Sequence, residues 1–171
     1  MTDVTGATAR GDVPAPDEAE GEKATLLAFL DYVRDALAAK AVGVTDEVGR
    51  TPGVPSGTSL LGLVKHLTAV ERMWFVWGYA GRGEEKPDSR PGPVAENETT
   101  ADVVAAYREA IRESNEIVLA CDDLTRPGAR SPRPKAPPSM RWVLVHMIEE
   151  TARHAGHADI LREQTDGAIG R

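Results

Sequence analysis

This sequence of 171 residues has little cysteine, few aromatic residues and no long hydrophobic run. Its single cysteine, Cys121, excludes an intramolecular disulfide and a zinc site made of several thiolates. No apolar stretch approaches the roughly 20 residues that a membrane-spanning helix requires. The first residues also lack the basic and apolar segments of a secretory signal. We therefore expect a cytoplasmic location and no membrane partner.

Positive charge is in deficit as well. The chain has 20 Lys and Arg against 27 Asp and Glu, which gives a net charge of -7. Because binding to nucleic-acid phosphates requires a basic face, we expect no nucleic-acid partner. Hydrophobic residues make up 41% and charged residues 27% of the chain, proportions that are typical of a folded globular domain rather than a disordered chain.

Four segments carry apolar residues at the spacing of an amphipathic helix, and no segment alternates as a strand would. The predicted helices run from Glu18 to Lys40, from a cap at Thr58 or Ser59 to Gly81, from a cap at Thr99 or Thr100 to about residue 124, and from a cap at Ser139 to between Thr165 and Gly167. Long connections rich in Gly and Pro separate them. We predict an all-α four-helix bundle with long connections, of either handedness.

The bundle is predicted to occupy residues 18–167 as a single domain. Residues 1–17, which are rich in Gly, Pro and small residues, are predicted to form a flexible arm, and residues 168–171 a tail. Within the first helix, the apolar seam is predicted to face the core, whereas Arg34 is predicted to face water.

Two polar residues interrupt the apolar stripe of the last helix. Glu150 and His154 are four residues apart, so their side chains lie next to each other on one face of the helix. Burying them is costly unless something compensates, and a divalent metal is one such compensation. His66, at the edge of the apolar stripe of the second helix, could supply a third ligand. Zinc and nickel both accept such nitrogen and oxygen donors.

Other interpretations of the same residues are open. An inward histidine can be an ordinary hydrogen-bonded core residue, and Glu150 with His154 can be an ion pair or two surface residues. His146, four residues before Glu150, could replace it as a ligand. Cys121 is predicted to be a small buried apolar residue. The basic stretch Arg126–Lys135 is predicted to be a solvated crossover, which could attract an anionic thiol or a carboxylate if it folds over the site.

Two segments together carry a resemblance to a known family. LLGLVKHLTAVERMWF in the second helix and EETARHAGHADILRE in the last resemble the DinB/YfiT-like metalloenzyme superfamily, and the similarity extends over about residues 20–165. In that family a histidine of the second helix and a His-x3-His or Glu-x3-His pair of the last helix hold one divalent metal. The Glu variant resembles the branch of the mycothiol-dependent maleylpyruvate isomerases. The resemblance implies a DinB-like fold with His66, Glu150 and His154 as ligands.

The chain departs from the family pattern directly after the last ligand. Relatives usually have a small residue, Gly and Gln there, whereas this chain has Ala155, Gly156 and His157. His157 is therefore a candidate cofactor-binding residue, as a hydrogen-bond donor to a metal ligand or as a contact to the substrate. The alternative is that it lies on a solvated flank of the helix.

The resemblance also implies a function. We expect a metal-dependent thiol S-transferase that moves a low-molecular-weight thiol such as mycothiol to a small electrophile, through a thiolate on the metal. Zinc is the expected metal, with nickel or iron as alternatives, and a homodimer is a further expectation. One rival is a metal-dependent hydrolase that uses water instead of thiol. Another is a non-catalytic metal-stapled bundle or stress protein. Only the enzymes predict a solvent-reachable cavity beside His66 and His154.

Overall fold

The computed structural model describes residues 13–90 and 92–170, and in these residues the chain forms helices and no strand. The α-helices are α1 (Glu22–Ala41), α2 (Asp46–Arg50), α3 (Leu60–Glu71), α4 (Thr100–Leu119) and α5 (Met140–Asp166), and a π-helix (Arg72–Tyr79) continues α3. The all-α prediction is confirmed. The four long helices correspond to the predicted ones, while the short α2 lies in a segment that was predicted to be a connection.

Polar caps begin the helices where the sequence predicted them. The Ser59, Thr99 and Ser139 side chains each accept a hydrogen bond from a backbone N–H in the first turn of the helix that follows, and at Thr99 the first-turn Asp102 completes a capping box. Helix α5 ends at Asp166 and is capped by Gly167, whose φ of 75° lies in the left-handed region that glycine adopts without strain. These caps position α3 and α5, which carry the candidate ligands.

Three predicted helix ends differ from the observed ones. Helix α1 begins at Glu22 rather than Glu18, because Gly21 has a φ of 88° and breaks the helical path. Helix α4 ends at Leu119, so Cys121 lies in the turn that follows it. The predicted second helix reaches Tyr79, but its last eight residues are π-helical, which no local residue pattern indicated.

The core is formed by apolar side chains from all four long helices. Helix α1 packs along α5, α3 packs along α4, and α3 also contacts α5. The fully buried residues include several from each of these helices, among them Leu30, Leu37, Leu61, Leu67, Tyr107, Met140, Leu144 and Met147. The contact of α3 with α5 is the one that matters for function, because it brings His66 next to the last helix.

Arg34 corrects one prediction. It lies in the core and not in water, with a relative exposure of 0%. Its Nε and Nη2 donate hydrogen bonds of 2.7 and 2.6 Å to the two carboxylate oxygens of the equally buried Glu71. Its Nη1 donates to Asp31 and Asn115. Burial acts to lower the pKa of Arg34, but the Glu71 carboxylate outweighs it and raises the pKa, so the guanidinium stays charged.

The π-helix allows close approach of the connection between α4 and α5. Backbone N–H groups of Ala129 and Arg130 donate to the carbonyls of Tyr79 and Gly78, at 3.0 and 2.8 Å. A side-chain carbon at Gly78 would lie 2.9 Å from the backbone oxygen of Met73, so only glycine fits there without a shift. The connection therefore folds back against the end of the second long helix.

The structure describes only part of the predicted arm and tail. Residues 1–12 of the predicted arm and residue 171 lie outside the described residues, and residues 13–18 and 167–170 form no regular structure. Within the described chain, every helix is too short or too polar to cross a bilayer.

Candidate metal centre

Three candidate ligands from two helices converge at one point. His66 comes from α3, and Glu150 and His154 come from successive turns of α5. The Nε2 atoms of His66 and His154 lie 3.3 and 3.2 Å from the same Glu150 oxygen, Oε1. One ligand atom from each residue falls within 4.8 Å of the others. Glu150 and His154 therefore lie side by side on α5, as their i, i+4 spacing predicted. The packing of α3 against α5 brings His66 next to them.

The three side chains are partly buried. Their relative exposures are 23% for His66, 15% for Glu150 and 16% for His154. His66 and His154, which were expected to face the interior, are thus less buried than core residues. Each is shielded enough for its electrostatic interactions to be strong, yet a small molecule can still approach.

The outward nitrogens of both imidazoles have partners of their own. His66 Nδ1 lies 2.5 Å from the backbone carbonyl oxygen of Ser89, in the connection that precedes α4. Because a carbonyl only accepts, this contact requires the hydrogen on Nδ1, and in the neutral ring Nε2 then carries the lone pair. His154 Nδ1 lies 3.4 Å from Nδ1 of the exposed His157. Both rings therefore turn Nε2 toward Glu150.

The Glu150 carboxylate is oriented from its other side. Arg153 Nη1 donates to Glu150 Oε2 at 3.1 Å, while Oε1 faces the two imidazoles. Arg153 also pairs with Glu149, one turn earlier. Sequence reasoning missed both Arg153 and Ser89. The i, i+3 spacing of Glu150 and Arg153 was a usable signal, whereas the Ser89 contact is made by the backbone and has no residue-type signal.

The protonation states suit a metal site. In the metal-free chain, burial acts to raise the pKa of Glu150, but the hydrogen bond that a protonated His66 donates and the charges of a protonated His154 and of Arg153 outweigh it, so the pKa lies below its ordinary value. Burial lowers the pKa of His154; proximity to His66 lowers it further, and Glu150 opposes both. At neutral pH these influences favour a carboxylate at Glu150 and a neutral imidazole at His154, which are the forms that bind metals.

His146, the alternative to Glu150, lies outside this cluster. Its ring stacks on Trp142 with a centroid distance of 4.9 Å and meets Trp74 edge-on at 4.8 Å. The guanidinium of Arg133 lies 4.0 Å from the Trp142 ring centroid. The structure therefore places His146 in an aromatic cluster beside the site. The basic stretch that contains Arg133 folds against this aromatic cluster.

Cys121 is buried, as predicted. Its Sγ lies 3.2 Å from the Tyr79 hydroxyl and donates to the Asp123 carbonyl oxygen. It is in none of the contacts of the three candidate ligands, so we assign it no part in the site.

A cleft of about 500 Å³ opens beside the two histidines. His66 and His154 form part of its wall, together with residues from the connection between α2 and α3 and from the connection that precedes α4. This is the solvent-reachable cavity that the enzyme interpretations predict. A volume of this size accommodates a small organic molecule.

The chain is similar to known proteins in sequence and in structure. The sequence profile of the mycothiol-S-transferase family matches residues 25–167, which covers all four long helices except the first residues of α1. A conserved protein from Enterococcus faecalis has a similar structure, with a TM-score of 0.63 and 15% sequence identity over 88% of this chain and 100% of that chain. At that identity the similarity shows the fold alone. No curated protein matches the chain.

Proposed function

Since the chain belongs to the mycothiol-S-transferase family, as the match over residues 25–167 shows, we propose that it transfers a thiol such as mycothiol to a small electrophile with the help of a divalent metal. The membership confirms the resemblance to the DinB/YfiT-like superfamily. We assign the metal to His66, Glu150 and His154, and we favour zinc over nickel or iron. The cytoplasmic location and the homodimer stay predictions.

The types of the three donors and the two spacings that involve Glu150 carry this proposal. With bonds of about 2.0–2.1 Å, two donors of a tetrahedral zinc ion lie roughly 3.3 Å apart. The Nε2 atoms of His66 and His154 lie 3.3 and 3.2 Å from Glu150 Oε1. Three protein ligands with one open position are the usual pattern of a catalytic zinc site, and two nitrogens with one oxygen suit zinc, nickel and iron. The residues present therefore fit the metal.

The neighbouring groups support the ligands in this proposal. The Ser89 carbonyl holds His66 with its hydrogen on Nδ1, and Arg153 holds the outer oxygen of Glu150. With a metal on Nε2, His154 would carry its hydrogen on Nδ1 and could donate it to Nδ1 of His157, 3.4 Å away, which would fix the ring. This is the cofactor-related role that we assign to His157. A bound divalent metal would lower the pKa of a thiol and keep its sulfur nucleophilic at neutral pH.

The cleft supports an enzyme over a metal-stapled bundle. A metal that only held the core together would need no opening, whereas the wall of this 500 Å³ cleft includes His66 and His154. In the transfer, the sulfur forms a bond to the electrophilic carbon, the leaving group departs with its bonding electrons, and the thiol proton passes to water. Hydrolysis would need the same cleft, and we favour thiol transfer because of the family.

Metal analysis and thiol conjugation test the proposal together. Protein reconstituted with zinc, nickel or iron(II) should bind metal in a ratio of one per chain and accelerate the reaction of mycothiol with 1-chloro-2,4-dinitrobenzene. His154→Ala should lose the bound metal and the acceleration. His146→Ala is the matched control, because it removes an imidazole from the same helix outside the cluster, and it should retain the metal.

Other outcomes would contradict the ligand assignment or favour a different function. Wild-type protein without stoichiometric metal, or a His154→Ala variant that still retains it, would contradict the ligand assignment. Turnover of substrates without added thiol would favour the hydrolase. Metal that raises the melting temperature without any turnover would favour the non-catalytic bundle.

A further inference from the structure

The charge of the cleft beside His66 and His154 is the reverse of the charge of the whole chain. The net charge of the chain is -7. Yet the charged side chains among the described residues that line the cleft are Arg50 and Arg90, and no Asp or Glu is among them. An anion that enters this cleft thus meets two cations next to the candidate metal ligands.

Arg50 is held in place but has bonding capacity left. Its Nη2 donates to the backbone carbonyl oxygens of Glu96 and Glu98, at 3.2 and 2.7 Å. Its Nε is buried and has no hydrogen-bond partner among the described residues. A buried donor without an acceptor is unfavourable, and no acceptor within the described residues compensates it. Because its backbone anchors restrict the side chain, little conformational entropy is lost when a ligand binds.

The carboxylates nearest to Arg50 are engaged elsewhere. Asp46 accepts from the backbone N–H of Thr100 at 2.7 Å. The Glu98 carboxylate accepts from Lys65 at 2.6 Å and from the N–H of Ala95 at 2.7 Å. Arg50 therefore has no carboxylate partner at hydrogen-bond distance among the described residues, and its charge remains available to a ligand.

Arg90 adds a second cation, which is exposed. Its backbone N–H donates to Asp88, but its guanidinium has no ion pair or hydrogen bond within the described chain. The residue is exposed and follows closely on Ser89, whose carbonyl contacts His66. The connection that precedes α4 thus contacts the candidate ligand His66 through Ser89 and also presents the guanidinium of Arg90 at the cleft.

A second groove on the molecule has a different pattern of charged residues. It has a volume of about 430 Å³ and lies between α3 and α4. Lys65 and Arg72 line it, but so do Asp88, Glu98 and Asp102, so that cations and carboxylates alternate. A third groove, beside Tyr79 and Cys121, is also lined by arginines without a carboxylate among the described residues, so the cleft is distinguished by the position of its arginines beside His66 and His154.

We propose that the cleft selects electrophiles that carry a carboxylate, which Arg50 and Arg90 bind while the reactive carbon lies near His66 and His154. Guanidinium groups bind carboxylates through paired charge-assisted hydrogen bonds. Leu63 and Val94 in the same wall give an apolar surface for the body of the molecule. This inference names the substrate class of the proposed transferase and rests on that function.

A pair of electrophiles that differ only in charge tests the inference. With mycothiol and metal-loaded protein, kcat/KM for 4-(bromomethyl)benzoate should exceed that for 4-(bromomethyl)benzamide by about tenfold, the size of one charge-assisted hydrogen bond. Arg90→Gln should remove most of this ratio. Arg50→Lys keeps the charge but loses the paired geometry, and it should lower the ratio as well. Arg108→Gln, which removes an exposed arginine of α4 outside the cleft, should leave the ratio unchanged.

A binding measurement separates this inference from the function on which it rests. The unreactive 4-methylbenzoate should bind to wild-type protein by calorimetric titration, with weaker binding to Arg90→Gln, and 4-methylbenzamide should bind weakly to both. Turnover without preference for the benzoate would overturn the carboxylate site and leave the transferase intact. No turnover of either electrophile would overturn the transferase, and the arginine dependence of 4-methylbenzoate binding would still decide the carboxylate site.

Discussion

Two polar clusters lie within the same apolar bundle, and they differ in what completes them. The pair of Arg34 and Glu71 is fully buried, with two hydrogen bonds that join the guanidinium to both carboxylate oxygens. The cluster of His66, Glu150 and His154 is partly exposed and combines one carboxylate with two imidazoles. In the first cluster opposite charges satisfy each other, whereas in the second several lone pairs converge on one point.

The difference separates a structural cluster from a candidate functional one. A buried ion pair that satisfies itself has no reason to bind a ligand, and both Arg34 and Glu71 are fully buried. The His66, Glu150 and His154 cluster lies at a cleft and has outer groups that orient each ligand. We therefore expect the first cluster to control stability and the second to control metal binding.

The largest expected effect is on stability, from Glu71→Ala. Removing the carboxylate leaves the buried Arg34 charge without its main partner, which costs about 3–5 kcal/mol of the free energy of unfolding. The matched control is Glu109→Ala, since Glu109 also forms a paired contact with an arginine, Arg112, at 2.9 and 2.5 Å, but on the surface. It should change stability little. Urea unfolding in the presence of a chelator measures both variants.

The stabilities of Glu71→Ala and Glu109→Ala could also contradict this comparison between a buried and a surface ion pair. Equal loss of stability in the two variants would show that burial does not distinguish the Arg34–Glu71 pair from a surface pair. A Glu150→Gln variant in the same chelator should be far less destabilised than Glu71→Ala, because the Glu150 carboxylate is partly exposed and is not the main partner of a buried cation.

A smaller effect is expected from His157→Ala, on metal binding. Loss of a partner that fixes a ligating imidazole weakens metal affinity by roughly ten- to a hundredfold. His157→Gln should recover much of the affinity, because its amide oxygen can accept from Nδ1 of His154. Competition with a chromogenic zinc chelator measures the affinity, and unfolding in a metal-free buffer should show no comparable change. Unaltered affinity in His157→Ala would leave His157 as a solvated flank.

The helical period explains which parts of this comparison could be predicted from sequence. Glu150 and His154 are local neighbours at i, i+4, and their place in an apolar stripe is a strong signal. The same reasoning predicted Ser59, Thr99 and Ser139 as caps, which the structure confirms. Local spacing is thus enough where both partners lie on one helix.

The contacts between distant segments could not be predicted in this way. Arg34 was predicted to face water because its partner, Glu71, is 37 residues away and only the packing of α1 against α3 brings them together. The contact of His66 with Ser89 uses a backbone oxygen, which every residue has. The π-helix that ends the second long helix has no residue signature either. Single-sequence patterns therefore find candidate ligands more readily than the groups that orient them.

The smallest expected effect concerns His146, which lies between the two kinds of cluster. Burial against Trp74 and Trp142 lowers its pKa from the ordinary value of 6.5; the carboxylates of Glu150 and Glu149 oppose this, and Arg133 and Arg153 add to it. The folded chain therefore binds a proton at His146 less readily than the unfolded chain does. Stability should be unaffected by this group well above pH 6.5 and should fall as the pH decreases from 6.5 toward the folded pKa.

Replacing the ring isolates this contribution. His146→Phe keeps an aromatic surface for Trp142 but cannot bind a proton, so its stability should fall less steeply below pH 6.5 than that of the wild type. Urea unfolding of metal-free protein in steps from pH 7.5 to about pH 5 measures the difference. The pKa of His154 is lowered in the same direction, so part of the slope should remain in the variant. Identical slopes would mean that His146 takes up its proton as easily in the folded chain as in the unfolded one, and that the aromatic cluster does not desolvate it.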